Sequence, residues 1–415
     1  MNRMTQGGFG FMSKKVYTIV GNWGFAPAPK GISTFHYDME DGTLEAIETI
    51  HPDIAAGQLC LDAERMVLYA VNECGERRGE IGGGGYVLSF SINPETGKLT
   101  LMNEQASLSP EPSYLCMSLN KKYLITCHCA DPWHVTKIVQ HEDGSYSNEV
   151  LFDDTALVLF PIREDGTIGP PCDVLITEGT GGKGPNSQRN VDPVTNHIQM
   201  VEVISRLHAV IGAPGKNFFV ACDKGMDKLI TFRVDEEQGK LVKLDEYTVE
   251  EVASFPRYGA FHPELPVFYS NNENLALLNC FRYDEGGRLE LYDKISLLFE
   301  EVGMIDGKPV GAQDILVHPN GKTLYVTLCG LNDIVTVSLD EEGRPRLVQH
   351  ISSEGELPRG ICLSPDERFL LSGNMVSGDI TVFRVLKDGT LEYTGRKYEA
   401  VSPSAIRMLA AGSKQ

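Results

Sequence analysis

Four residues on widely separated stretches of this chain could do acid–base and anion chemistry together. They are His208 in Leu207-His208-Ala209-Val210, Arg257 in Pro256-Arg257-Tyr258, Glu273 after Asn272, and Arg359 in Pro358-Arg359-Gly360. A histidine takes or gives a proton near neutral pH. Glu273 is expected to orient or charge-balance that histidine, or to act as an acid or base itself if burial raises its pKa. Arg257 and Arg359 each present a planar fork that holds a carboxylate or phosphate at two points. A proton shuttle beside an anion clamp suits chemistry next to an acid group, such as opening or closing a sugar-acid lactone. The competing reading is structural, since an arginine where sheets converge often only ties neighbours to a carboxylate.

Residues so far apart need a repeating scaffold to bring them together. A turn signal recurs seven times, as Asp41-Gly42-Thr43-Leu44, Thr96-Gly97-Lys98-Leu99, Asp165-Gly166-Thr167-Ile168, Gln238-Gly239-Lys240-Leu241, Gly286-Gly287-Arg288-Leu289, Glu342-Gly343-Arg344-Pro345 and Asp388-Gly389-Thr390-Leu391. The glycine supplies the positive φ of a tight hairpin. Alternating runs such as Leu229–Val234 and Ile380–Val385 precede most copies and read as half-buried strands. A second signal interleaves, with a strand, a Pro-Asx/Gly turn and a further strand, clearest in Ile315–Tyr325 and Ile361–Leu370. Each repeat thus offers about four short strands, the content of a propeller blade.

The prediction is all-β, a single seven-bladed β-propeller over residues 15–411 with a flexible extension over 1–14. Val16–Gly21 lacks an inner partner and Pro403–Leu409 lacks an outer one, so their pairing would close the ring. The alternative is a pair of β-sandwich domains. Insertions are expected at about 130–150 and 178–203, either covering one face or decorating the surface.

Aligning the repeats on themselves predicts the site. The inner-strand entries carry Ser113, His208, Arg257, Gln313 and Arg359, with Ser404 equivalent in the closing blade. The following strand exits carry Glu73, Cys129, Asp223, Glu273 and Cys329. Polar residues converging from several blades on one channel mouth are what a small-molecule site requires. We expect His208, Glu273 and Arg257 to be catalytic. Arg359, Gln313, Glu73, Asp223, Cys329 and Ser113 are expected to bind substrate.

Composition narrows the function. A net charge of −20 opposes nucleic acid and anionic membranes as partners. No run approaches a membrane span, and the first dozen residues do not read as a secretory signal. Ten cysteines scattered through strand-like segments suit reduced thiols in a cytosol. We expect a cytoplasmic monomer or homodimer acting on a small anionic substrate without cofactor or metal. Cys127, Cys129 and His134 offer a weak metal alternative, because Cys127 and Cys129 share one face of a strand while His128 points away. Gly82–Gly85 lacks the context of a phosphate loop. A non-catalytic interaction propeller is the other alternative, and the chain's two tryptophans do not form the surface repeat such propellers carry.

These stretches resemble the lactonase family of seven-bladed propellers, which includes bacterial-type 6-phosphogluconolactonase and carboxymuconate lactonizing enzyme. The resemblance runs from Tyr17 to about Leu409 and includes Lys30-Gly31-Ile32, Phe255–Tyr258, Phe261-His262-Pro263, Asn272-Glu273, Pro358-Arg359-Gly360 and Pro403-Ser404. It implies roles for a His, an Arg and a Glu that carry over to His208, Arg257 and Glu273. It also implies a further Arg where this chain has Cys329, a His where it has Arg206, and a His where it has Tyr258. With those contacts rebuilt, hydrolysis of a sugar-acid lactone, possible phosphorylation included, and isomerisation of a carboxylic acid on the same site both stay open.

Overall fold

The computed structural model describes residues 15–24, 31–76, 82–130, 134–187, 189–191, 198–300, 305 and 310–411, without the side chains of 189–191 and 198–200. Lys30, Trp133 and the extension over 1–14 lie outside the described residues. Every regular element described is a strand, and seven four-stranded antiparallel sheets follow one another in a ring. Blade 1 uses both ends of the chain, as the unpartnered terminal strands predict. Its inner strand Pro403–Ala410 pairs with Val16–Asn22, and Ile32–Tyr37 and Leu44–Ile50 follow outward. Blades 2 to 7 run in chain order from inner strands Leu59–Asp62, Pro112–Met117, Leu207–Gly212, Pro256–Phe261, Gly311–Val317 and Pro358–Leu363.

Strands expected to be half buried are buried more deeply. In Phe219–Asp223 every residue is buried, and in Lys228–Asp235 only Arg233 is exposed. The reason is that each blade is packed on both faces by its neighbours. The alternation of exposed and buried residues appears on outer strands such as Lys240–Thr248. Between blades 5 and 6, Phe268, Phe281, Leu324, Val326 and Val335 share one core.

The seven signature glycines all have positive φ, from 64° at Gly239 to 88° at Gly287. Each sits in the turn between third and fourth strands, and these turns also join the blades. Tyr17, Tyr69, Tyr123, Tyr269 and Tyr325 donate their hydroxyls to backbone carbonyls of the next blade's turn, at Pro94, Gly166, Glu236, Gly343 and Gly389. A Cβ at Gly343 would lie 2.9 Å from the Tyr269 hydroxyl, so the glycine serves the clasp as well as the turn.

Both insertions leave from the end of the ring where the inner strands begin. The first, in blade 3, is a ribbon of His134–Gln140 paired with Tyr146–Phe152. It extends slightly past the expected boundary, and nearly all of its residues are exposed. The second follows Asp173–Thr177 and leads into the inner strand of blade 4.

Tyr325→Phe removes a buried 2.8 Å hydrogen bond to the Gly389 carbonyl and leaves the ring contacts intact. We expect it to destabilise the ring by about 1–2 kcal/mol in urea unfolding. No change would show that the tyrosine clasps do not hold the blades.

Candidate functional site

The inner strands carry their chemistry on bulges. In blades 3, 4, 5, 7 and 1 the register skips one residue, which is Ser113, His208, Arg257, Arg359 and Ser404 respectively. In blade 6 it skips Gln313 and Asp314. A bulged residue has no cross-strand partner and can be aimed away from the sheet. Proline precedes the bulge at Pro112, Pro256, Pro358 and Pro403, where its missing N–H costs no ladder bond. The residues before three of these prolines, Glu111, Phe255 and Leu357, have φ of 50°, 58° and 57°. Such left-handed non-glycine positions store about 1–3 kcal/mol of strain each and cluster at functional sites.

The same register defines the exits of the second strands. His128, Asp223, Asn272 and Asn374 lie opposite the residue before the bulge. The next residues, Cys129, Lys224, Glu273 and Met375, are therefore equivalent, and Glu73, Cys329 and Trp23 complete the set. In blade 4 this position belongs to Lys224, not to the Asp223 expected from sequence. Asp223 instead accepts Ser205 Oγ at 2.5 Å and the amides of Arg206, Gly225 and Met226, so it fixes the loops on either side of the site.

Arg257, Glu273, Gln313 and Cys329 come together. Arg257 Nη1 donates to Gln313 Oε1 at 2.7 Å, and Gln313 Nε2 donates to Cys329 Sγ at 3.3 Å. Arg257 Nε stands 4.0 Å from Glu273 Oε2, the oxygen that accepts from Lys224 Nζ at 2.6 Å. The Arg257 guanidinium lies 4.9 Å from the Tyr258 ring centroid, and the His208 ring meets Tyr258 edge-on at 5.2 Å.

Two expectations about protonation are corrected. Although burial alone would raise its pKa, Lys224 and Arg257 overcome that effect and hold Glu273 down at about 2. It is therefore an ionised partner of cations at neutral pH, not a poised acid, and no hydrogen bond joins it to His208 among the described contacts. His208 is buried, and that burial, reinforced by Arg257, Lys224, Arg359 and Arg206, pushes its pKa well below 6.5. Its imidazole is neutral throughout the physiological range. Its Nδ1 has no hydrogen-bond partner among the described residues.

Arg359 forms a second cluster across the mouth. Its guanidinium lies 4.1 Å from the Trp23 ring centroid, and Nη2 is 3.7 Å from Glu73 Oε2. The blade 2 equivalent of the bulged residue is Gly57, since Val71 N donates to Gln58 O one step further in. A Cβ at Gly57 would fall 1.9 Å from Glu73 Oε2, so the glycine makes room for that carboxylate. Ser113 is corrected to a structural role. Its hydroxyl lies within hydrogen-bonding distance of the carbonyls of Leu207 and His208 and joins blade 3 to blade 4, while Ser404 does the same from blade 1 toward Ala56 and Gly57 of blade 2.

Lys224 and Trp23 escaped the sequence reading. The neighbouring Asp223 masked Lys224, and the one-residue bulge that separates their roles leaves no mark in residue types. The potential metal ligands do not converge: Cys127 is buried beside Ser113 and His134 lies on the exposed ribbon. No group of three His, Cys, Asp or Glu among the described residues is arranged to hold a metal ion.

Lys224→Met should destabilise the protein by about 1–3 kcal/mol at pH 7, because Glu273 keeps only the more distant Arg257. Glu273's depressed pKa contributes stability that is complete above the ordinary 4.5 and fades as pH falls toward about 2. The difference between wild type and variant in urea unfolding should therefore shrink over that window. A difference independent of pH would contradict the pairing.

The profile of the family described as lactonase, 7-bladed beta-propeller, matches residues 19–408. The chain is 24% identical over 367 residues to the 6-phosphogluconolactonase of Bacillus subtilis, covering 85% of this chain and 87% of that one. It is 23% identical over 384 residues to a 6-phosphogluconolactonase of Formosa agariphila, covering 91% and 95%. The periplasmic gluconolactonase of Pseudomonas aeruginosa superposes with a TM-score of 0.76 at 23% identity, covering 95% of this chain and 99% of that one, which shows a shared fold.

Proposed function

The chain belongs to the lactonase family of seven-bladed β-propellers, and from that premise we propose that it hydrolyses a sugar-acid lactone at the His208 mouth of the channel. The observation that carries the reading is a neutral, buried histidine inside a ring of cations. Its imidazole accepts a proton as water attacks the lactone carbonyl. Negative charge then develops on the carbonyl oxygen. Arg257 answers it with its guanidinium, which Glu273 and Gln313 hold in place. The acyl–oxygen bond of the ring breaks, the proton passes to the departing ring oxygen, and the product is the open hydroxy acid. Glu273 holds Arg257 and Lys224 in place and stays ionised throughout. The names of the Bacillus subtilis and Pseudomonas aeruginosa relatives support this substrate class. Ten free thiols support a reducing compartment, and we propose the cytosol.

Acid release from a panel of sugar-acid and muconate-type lactones tests the reading. His208→Ala and Glu273→Gln should each lower kcat/KM by about 100-fold or more while the circular dichroism of the fold is retained. Near-wild-type rates in both variants would overturn the site.

A further inference from the structure

We propose that Asp227 is a positioning residue for the reaction, holding the strained entry of blade 5 so that Arg257 and Glu273 keep one fixed geometry at the channel mouth. The inference rests on the lactonase reading above and names a residue that acts through others, not on the substrate.

In blades 4 to 7 the residue before the third strand is Asp227, Ala276, Asn332 and Gly378, each at a positive φ between 46° and 68°. Its carbonyl accepts an amide from the residue after the fourth strand, that of Val249, Leu297, Ser353 and Ala400 respectively. The backbone role is common to the four blades, and only the side chain varies. Two of these side chains are acceptors, and both reach the entry of the next blade. Asp227 Oδ1 accepts the Phe255 amide at 2.8 Å, and Oδ2 accepts the Ala253 amide at 2.7 Å. Asn332 Oδ1 accepts the Leu357 amide at 3.0 Å. Phe255 and Leu357 are the left-handed residues before Pro256-Arg257 and Pro358-Arg359. Where the next entry carries Gln313 or Ser404 in place of an arginine, the position is Ala276 or Gly378, which has no side-chain acceptor.

Phe255 ties this anchor to the site. Its carbonyl accepts the Glu273 amide at 2.8 Å, and Pro256 alone separates it from Arg257. Its ring centroid lies 5.9 Å from Lys224 Nζ, the cation that Glu273 holds. Asp227 thereby fixes the one residue to which the entry arginine and the exit carboxylate are both attached. Burial pushes the Asp227 carboxyl up to about 6 against the pull of the two amides, which leaves it mostly ionised at pH 7. An ionised carboxylate holds amides more firmly than a neutral acceptor does. Ala253 and Phe255 both have φ of 58°, so the loop between the blades depends on such outside contacts to keep its shape.

The test uses Asp227→Gly and Asp227→Asn in the lactone assay. Glycine relieves the positive φ and already fills the same place at Gly378, so the first variant removes the acceptor from a backbone the ring accepts. It should lower kcat by at least about tenfold with KM held within about threefold, because Arg257 answers charge that develops only in the transition state. Asp227→Asn keeps an acceptor for Phe255, as Asn332 does for Leu357, and should restore kcat to within about threefold of wild type. Wild-type kcat in Asp227→Gly, or an Asp227→Asn no better than Asp227→Gly, would overturn the proposal. Turnover of no lactone by wild type would count against the lactonase reading, and amide hydrogen exchange then decides the positioning without substrate. Asp227→Gly should speed exchange at Phe255 and Glu273 by at least about tenfold relative to Leu357 and Met375, the matching pair that Asn332 anchors in blade 7. An equal rise at all four amides, or no rise at any, would contradict it.

Discussion

Four cations, Arg206, Lys224, Arg257 and Arg359, crowd one mouth of the channel, and their mutual repulsion constrains what else can stand there. Burial favours the neutral form of His208, and all four cations reinforce it. Burial alone would raise the carboxyl pKa of Glu273, yet the cations around it reverse that effect. The arrangement survives because the acids are interleaved with the cations. Glu273 bridges Lys224 and Arg257, and Glu73 faces Arg359. Outside the mouth the chain is strongly acidic, with a net charge of −20, so the cluster is a local inversion of the protein's own field.

The propeller supplies this arrangement through small irregularities in otherwise regular sheets. A one-residue bulge near the start of an inner strand turns His208, Arg257 or Arg359 out of its ladder, and an extra residue in blade 6 brings Gln313 within reach of Arg257. The blades themselves are held by core packing on both faces and by tyrosine hydroxyls on the neighbouring turns. Positional precision at the mouth therefore derives from the rigidity of the ring, and the strained entries at Glu111, Phe255 and Leu357 are over-determined by it.

Much of this is legible in the residues. The seven glycine turns announce the repeat because each takes a positive φ that other side chains rarely adopt. The unpaired terminal strands announce the closure. His208, Arg257, Gln313 and Arg359 emerge from aligning the chain with itself, since a bulge near the same place in most blades preserves the spacing within each inner strand. The exits were harder to read, because Asp223 and Lys224 are adjacent and only the pairing of Asp223 with Leu207 separates their roles. Ser113 has the right position but spends its hydroxyl on carbonyls of blade 4. Protonation was least legible, because the pKa of Glu273 depends on a lysine that comes from another blade.

The claim at the centre of this account is that burial, reinforced by the cations around it, keeps His208 neutral. The most direct measurement is a nuclear magnetic resonance pH titration of the histidine side chains, with the His208 signal assigned by its loss in His208→Ala. The account predicts that His208 remains neutral as pH falls well below 6.5, the ordinary histidine value. A signal that titrates near that ordinary value would contradict it.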